Sequence, residues 1–165
     1  MRPAFLYYGG KQRMASKIIP LIPKHIVYVE PFCGGAAVFF KKPWPKVENK
    51  DHYREVLNDT KSRIVNFYRV LRDRPDELAH VCSCTPYSRE EHKIAKDDSG
   101  DVIERARRFF VNIAQSVGNI EYGGWSTSVF GVNHTAKWLN RRKHLALLVG
   151  RLDSVYIENE DALKV

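Results

Sequence analysis

The stretch His25-Ile-Val-Tyr-Val-Glu-Pro-Phe-Cys-Gly-Gly35 decides the fold. Its first part is β-branched and aromatic, which favours a strand, and Pro31 ends it. Gly34 and Gly35 then allow a tight turn, behind which residues 36–42 can begin a helix. Strand, glycine-rich turn and helix form the unit with which open α/β sheets bring their backbone close to a nucleoside ligand. The spacing is not the dinucleotide-type Gly-x-Gly-x-x-Gly, so the turn alone is a weak signal. A second apolar stretch within residues 47–59 ends in Val56-Leu57-Asn58-Asp59, which reads as a strand with an acidic end. Asp59 would then stand at the carboxyl edge of the sheet, where a carboxylate can accept both hydroxyls of a ribose.

On the amino-terminal side, Ala4 to Lys11 is a short apolar and aromatic segment ending in Gly9-Gly10-Lys11. Met14, Ile18, Ile19 and Ile22 follow at helical spacing until Pro23, which predicts one amphipathic helix. Lys11, directly after two glycines and ahead of that helix, is placed to meet an anion. Pro43 and Pro45 mark a turn. Residues 61–72 carry Ile64, Val65, Phe67, Tyr68 and Leu71 on helical spacing.

From 76 to 148 the pattern is helical and polar, with no convincing strand. Ala106, Phe109, Phe110, Ile113 and Ala114 fall on one face, and Leu139, Leu145, Leu148, Val149 and Leu152 on another. Between them, residues 118–131 are rich in glycine, serine and aromatics, the composition of an ordered functional loop. Ser154-Val-Tyr-Ile-Glu158 is a third strand candidate. The domain reading is a cofactor-binding α/β part over 1–75, a helical insert over 76–150, and a strand returning to the α/β part over 151–165.

Composition narrows the function classes. The chain has 165 residues, 44% of them hydrophobic and 28% charged, as expected of one folded domain. No apolar run approaches the roughly 18 residues of a membrane span, and the first twenty residues lack a signal-peptide core, so a soluble cytoplasmic protein is expected. Cys33, Cys82 and Cys84 do not form a zinc pattern or a disulfide framework. Cys33 reads as a small buried residue. Lys and Arg number 27 against 19 Asp and Glu, a net charge of +8 that suits a polyanionic partner.

Four ordered segments carry a resemblance: Phe5-Leu-Tyr-Tyr-Gly-Gly-Lys11, Val29-Glu-Pro-Phe-Cys-Gly-Gly35, Leu57-Asn-Asp-Thr60, and Arg151-Leu-Asp-Ser-Val-Tyr-Ile-Glu-Asn-Glu-Asp-Ala162. Together they resemble the DNA adenine-N6 methyltransferases of the Dam type. Arg105-Ala-Arg-Arg-Phe-Phe110 and the stretch from Gln115 to Trp125 are similar to that family's phage and prophage members. The resemblance covers nearly the whole chain. It implies a partial Rossmann-like methyltransferase sheet of about three strands, S-adenosylmethionine as cofactor, and double-stranded DNA as partner. It places Tyr7 beside the cofactor, Lys11 at its carboxylate, Phe32, Gly34 and Gly35 around its methionine part, Asp59 on its ribose and Asp161 near its adenine. Ala162 stands where relatives often have Phe, which weakens stacking there.

The family's catalytic Asp-Pro-Pro-Tyr motif appears nowhere in these residues, so no side chain here is assigned to the transfer step. In the family, a carboxylate or carboxamide and a backbone carbonyl accept the two adenine N6 hydrogens and aim the lone pair at the methyl group, while the aromatic ring stacks on the flipped base. Pro43-Trp44-Pro45 and Thr85-Pro86-Tyr87 are the nearest proline-aromatic pieces, and both read as turns. A sheet lacking the strand of that motif leaves residues 26–30 with an unpaired edge. A split enzyme completed by a second chain, or self-association across that edge, is therefore expected.

The resemblance makes the insert the target-recognition region. Lys137, Arg141, Arg142 and Lys143 would grip phosphates, and Asn119, Tyr122 and Trp125 would meet bases. The alternative function is a non-catalytic relative that binds DNA or cofactor and transfers nothing. A third possibility, a general basic nucleic-acid module, predicts no cofactor affinity. The resemblance also leaves open a place in a restriction-modification system.

Overall fold

The computed structural model describes residues 1–44, 53–128 and 131–165. Pro45, residues 47–52 of the second apolar stretch, and residues 129–130 of the expected loop lie outside them. The three expected strands are present: β1 (Val27–Glu30), β2 (Arg54–Asn58) and β3 (Val155–Glu158) form one parallel sheet in the order β1-β2-β3. Val29 stands beside Val56, and Val56 beside Tyr156. This is the mixed α/β architecture of a partial Rossmann-like methyltransferase sheet.

The helices are α1 (Ala15–Ile18), α2 (Ala37–Lys41), α3 (Ser62–Asp73), α4 (Pro75–Cys84), α5 (Arg89–Ile94), α6 (Val102–Ala114), α7 (His134–Leu145) and α8 (Val149–Leu152). Their starts follow local chemistry. Pro75 opens α4, where its missing N–H costs nothing. The Ser88, Asp101 and Asn133 side chains accept from the first turns of α5, α6 and α7.

Two expectations need correction. The single amphipathic helix after Lys11 is one α-turn followed by a 3-10 turn at Ile19–Leu21, because Pro20 has no N–H to continue the α ladder. Leu139 is 41% exposed rather than on the buried face of its helix, because Trp138 takes the core position.

One hydrophobic cluster joins the sheet to the helical segment. Phe5 stands edge-on to Phe67 and Phe109, with ring centroids 5.4 and 5.1 Å away, and Phe110 packs 5.4 Å from Trp138. The apolar faces expected on α3 and α6 are both buried. Under the sheet, Glu55 is buried and takes two hydrogen bonds from Arg151, at 2.5 and 2.9 Å, and an ion pair from Lys42 at 2.9 Å. Arg151 thereby fixes the turn that feeds β3 to the start of β2.

The two sheet edges differ. On β3, Arg69 and Arg72 of α3 donate to the Ile157 and Val155 carbonyls at 2.8 Å each, so that edge is covered. On β1, the Ile26 carbonyl accepts from Arg54 N at 2.9 Å, so strand alternation turns the amides and carbonyls of Val27 and Val29 outward. Among the described residues no side chain caps them, and Ile26 and Val27 are 64% and 48% exposed.

Candidate functional site

The carboxyl ends of the strands are stitched together by Asn58. Its Nδ2 donates to the carbonyls of Pro31 (3.0 Å) and Glu160 (2.9 Å), and its Oδ1 accepts from Glu160 N at 2.9 Å. A buried amide satisfied at every point holds three loops in fixed relation. Asn159 adds a hydrogen bond to the Asp59 carbonyl at 2.7 Å.

A cleft of about 530 Å³ opens beside this junction. It brings together six of the seven residues expected to hold a cofactor: Tyr7, Lys11, Phe32, Gly34, Gly35 and Asp59. Asp161 does not line it. That side chain accepts from Leu163 N at 2.8 Å in the turn beyond β3. The cleft also contains groups that were not singled out: Tyr28, Glu30, Ile18, Ile22 and Val38. Glu30 was legible by the logic applied to Asp59, since it is the last residue of a strand pointing to the same edge.

Backbone geometry shapes the cleft. Gly34 adopts φ +48, a left-handed conformation that a side chain strains, and Ala36 follows at φ +49. A Cβ on Gly35 would lie 2.8 Å from the Phe5 carbonyl oxygen, so only glycine admits the amino-terminal segment this close. Asp59 accepts from Gly34 N at 2.9 Å and from Lys61 N at 3.0 Å, one bond on each oxygen. A carboxylate offers about four acceptor sites, so Asp59 is oriented and still able to accept two hydroxyls.

Glu30 accepts from Phe39 N at 2.6 Å and from the Tyr28 hydroxyl at 2.8 Å. Burial pushes its carboxyl above the ordinary range, against the pull of those hydrogen bonds and of Lys11. Burial, with Asp59 and Glu30 nearby, pushes the Cys33 thiol well up and favours its protonated form. Phe32 is 74% exposed, an apolar ring offered to whatever enters. This donor set fits S-adenosylmethionine: two carboxylates for ribose and ammonium, a lysine for the carboxylate, and an apolar wall. The volume lies within the roughly 300–1,000 Å³ of small-ligand sites.

The residues expected to face nucleic acid fall into two groups. Lys137 and Lys143 are exposed and line a groove of about 660 Å³ with Arg2, Gln12 and His144, without an acidic residue. Arg141 also lines that groove, but its guanidinium is tied inward, as is that of Arg142. Arg141 donates to the Ala114 carbonyl and, at 2.8 Å, to Asn119 Oδ1. Arg142 donates to the Cys82 and Ser83 carbonyls at the end of α4, at 3.1 and 2.5 Å. Asn119 is thus held by Arg141, and the Tyr122 hydroxyl accepts from Arg63 at 2.7 Å. Trp125 lies between the Tyr87 ring, 5.6 Å away, and the Arg89 guanidinium, 5.0 Å away.

The chain is similar to known proteins. Residues 7–117 match the model of the D12 class N6 adenine-specific DNA methyltransferases. A type II methyltransferase of Lactococcus lactis subsp. cremoris is 34% identical over 94 residues, 56% of this chain and 30% of the relative. The DNA N-6-adenine-methyltransferase of Escherichia phage P1 is 32% identical over 77 residues, 47% of this chain and 9% of the relative. A DNA adenine methylase of Vibrio cholerae is 33% identical over 78 residues, 47% of this chain and 25% of the relative. The chain thus spans less than a third of the length of these relatives.

Proposed function

The chain belongs to the D12 class of N6 adenine-specific DNA methyltransferases, and from that premise we propose that it forms the S-adenosylmethionine-binding and DNA-reading part of an adenine methyltransferase. One observation carries the proposal: Tyr7, Lys11, Phe32, Gly34, Gly35 and Asp59, scattered over the sequence, line a single cleft at the carboxyl edge of the sheet. Asp59 would accept the ribose hydroxyls, Lys11 the methionine carboxylate, and Glu30 the ammonium group. Asp161, on the turn beyond β3, does not line the cleft and is given no contact here. S-adenosylmethionine, when bound, supplies an electrophilic methyl group; the residues here bind and orient it.

The groups that would aim adenine N6 are absent from this sequence, and β1 has an open outer edge where β3 has a covered one. We assign that edge to a further strand from outside these residues, carried by a second chain and bearing the Asp-Pro-Pro-Tyr motif. Such a strand would pair with the outward amides of Val27 and Val29 and place its motif beside the cleft mouth. DNA would be gripped at phosphates by Lys137 and Lys143 and read by the loop carrying Asn119, Tyr122 and Trp125, with Arg141 holding Asn119 from behind. Work on chromosomal or phage DNA would place the protein in the cytoplasm. Among the described residues no helix is long and apolar enough to cross a membrane.

The experiment is amide exchange and light scattering on the purified chain, with methyl-labelled cofactor and duplex DNA. The proposal expects no label on DNA from the chain alone, fast exchange at Val27 and Val29 in monomer, and slow exchange in any complex that transfers label to adenine. Slow exchange at both positions in a stable monomer, or transfer by the chain alone, contradicts the second-chain assignment.

A further inference from the structure

A buried carboxylate joins the cleft to the reading loop. Glu121 lies between Gly118 and Trp125, yet its side chain is only 9% exposed. Its Oε2 accepts from the Tyr7 hydroxyl at 3.2 Å and from Lys61 Nζ at 3.3 Å, and its Oε1 from Arg63 Nη1 at 3.1 Å. Lys61 Nζ also donates to the Tyr7 hydroxyl at 2.7 Å. Arg63 Nη1 also donates to the Tyr122 hydroxyl, and its guanidinium lies 5.2 Å from that ring. On the cleft side, the Tyr7 ring lies against Gly34, 3.4 Å from where a Cβ would stand. Lys61 N is bonded to Asp59, the proposed ribose ligand. Every step from the cleft wall to the loop is therefore a hydrogen bond or a ring contact.

The loop needs those anchors. Asn119 and Tyr122 hold φ +55 and +62, left-handed conformations that side chains disfavour. Such backbone persists only where its surroundings over-determine it, and it occurs at clamps and switch segments. Tyr122 N is held by Asn112 Oδ1 at 2.8 Å, Asn119 by Arg141, and Glu121 by the three partners above. Releasing Glu121 removes the central anchor, while Arg63 keeps its ion pair with Asp98 at 3.1 Å and Lys61, 57% exposed, turns to solvent.

We propose that Glu121 is a positioning residue that couples occupancy of the cleft to the posture of the loop, so that cofactor and duplex DNA each strengthen the binding of the other. The inference rests on the functional reading above. A ligand packed on the Tyr7 ring fixes the hydroxyl that holds Glu121, and the seated loop presents Asn119 and Tyr122 to the duplex already ordered. Linkage makes the effect reciprocal.

The test is calorimetry with S-adenosylhomocysteine, which cannot donate a methyl group, on the full chain with and without saturating mixed-sequence duplex. In the wild type the duplex should tighten the ligand by about fivefold or more, the lower end of ordinary coupling. Glu121→Gln should keep S-adenosylhomocysteine binding alone, weaken duplex binding alone, and bring the factor to about one. Lys137→Ala should weaken DNA binding and keep the factor. As a check independent of ligands, Tyr7→Phe should speed amide exchange at Tyr122 and Gly123. A wild type that binds both ligands with no coupling, or a Glu121→Gln chain with the wild-type factor, overturns the inference alone. A wild type that binds neither ligand overturns the functional reading and the inference with it.

Discussion

Replacing Arg141 by Ala should unfold the protein more easily rather than strip it of a phosphate contact. Its guanidinium donates to the Ala114 carbonyl, at the end of α6, and to Asn119 Oδ1. Burial lowers the Arg141 pKa below the usual arginine range, with the nearby Tyr87 opposing, as expected of a cation turned into the fold. Truncation leaves two partly buried acceptors without donors, and each costs about 1–3 kcal/mol. Partial solvent access favours the lower half of that range, giving about 2–4 kcal/mol in total. For a chain of this size 1 kcal/mol moves the melting temperature by about 2–4 °C, so the midpoint should fall by roughly 4–16 °C. Lys137→Ala and Lys143→Ala, on exposed side chains, should stay within about 0.5 kcal/mol of wild type. Each should instead reduce the slope of log affinity for duplex against log salt by about one. Thermal circular dichroism and duplex binding at several salt concentrations read both effects. An Arg141→Ala chain that melts like wild type but loses a unit of salt slope refutes the distinction between inward and outward cations.

Glu55 predicts the acid limb of stability. Burial alone would raise its carboxyl pKa, but hydrogen bonds from Arg151 and Lys42 outweigh burial and hold it below 4.5. A depressed folded-state pKa contributes stability that is present above the unfolded value and lost as pH falls through the folded one. Resistance to urea should therefore weaken below about pH 4.5, and Glu55→Gln should remove part of that dependence while costing about 3–5 kcal/mol at pH 7 by stranding two buried cations. An unchanged acid limb in the variant contradicts this. Gly35→Ala should cost about 1–3 kcal/mol, because its Cβ meets the Phe5 carbonyl at 2.8 Å, and a midpoint equal to wild type in urea would show that the amino-terminal segment can yield. Phe32→Ala should leave stability within about 0.5 kcal/mol, since the ring is exposed, yet weaken cofactor by about tenfold through lost apolar burial. Equal cofactor affinity would take Phe32 out of the site.

Much of the site was legible because local chemistry sufficed. β-branched runs ended by Pro31 or followed by Asp59 mark strands whose carboxyl edge is the ligand side, and Gly34-Gly35 marks the turn between them. Pro20 was underweighted against the spacing of Met14, Ile18 and Ile22, so two short turns read as one helix. Leu139 fell on the apolar stripe of its helix, yet the larger Trp138 took the buried position. What could not be read is long-range pairing. Arg141 and Lys137 look alike in a basic helix, and only the fold shows one donating to Ala114 and the other facing solvent. Glu121 carries no local signal at all: its partners Tyr7, Lys61 and Arg63 are far away along the chain, and an acidic residue in a Gly-rich loop ordinarily reads as solvated. The uncapped β1 edge was legible through a motif that the sequence lacks, whereas the cover on β3 depended on where Arg69 and Arg72 reach.

Calorimetric titration of S-adenosylmethionine into the wild type and into Asp59→Ala tests the cleft most directly, with Asp59→Asn as a variant that keeps one acceptor oxygen. Saturable binding at one site per wild-type chain is expected, weakened by about tenfold or more in Asp59→Ala, about the 1.5–3 kcal/mol of hydrogen bonds to a charged group, with a smaller loss in Asp59→Asn. No binding by a folded wild type, or equal affinity in all three, would contradict it.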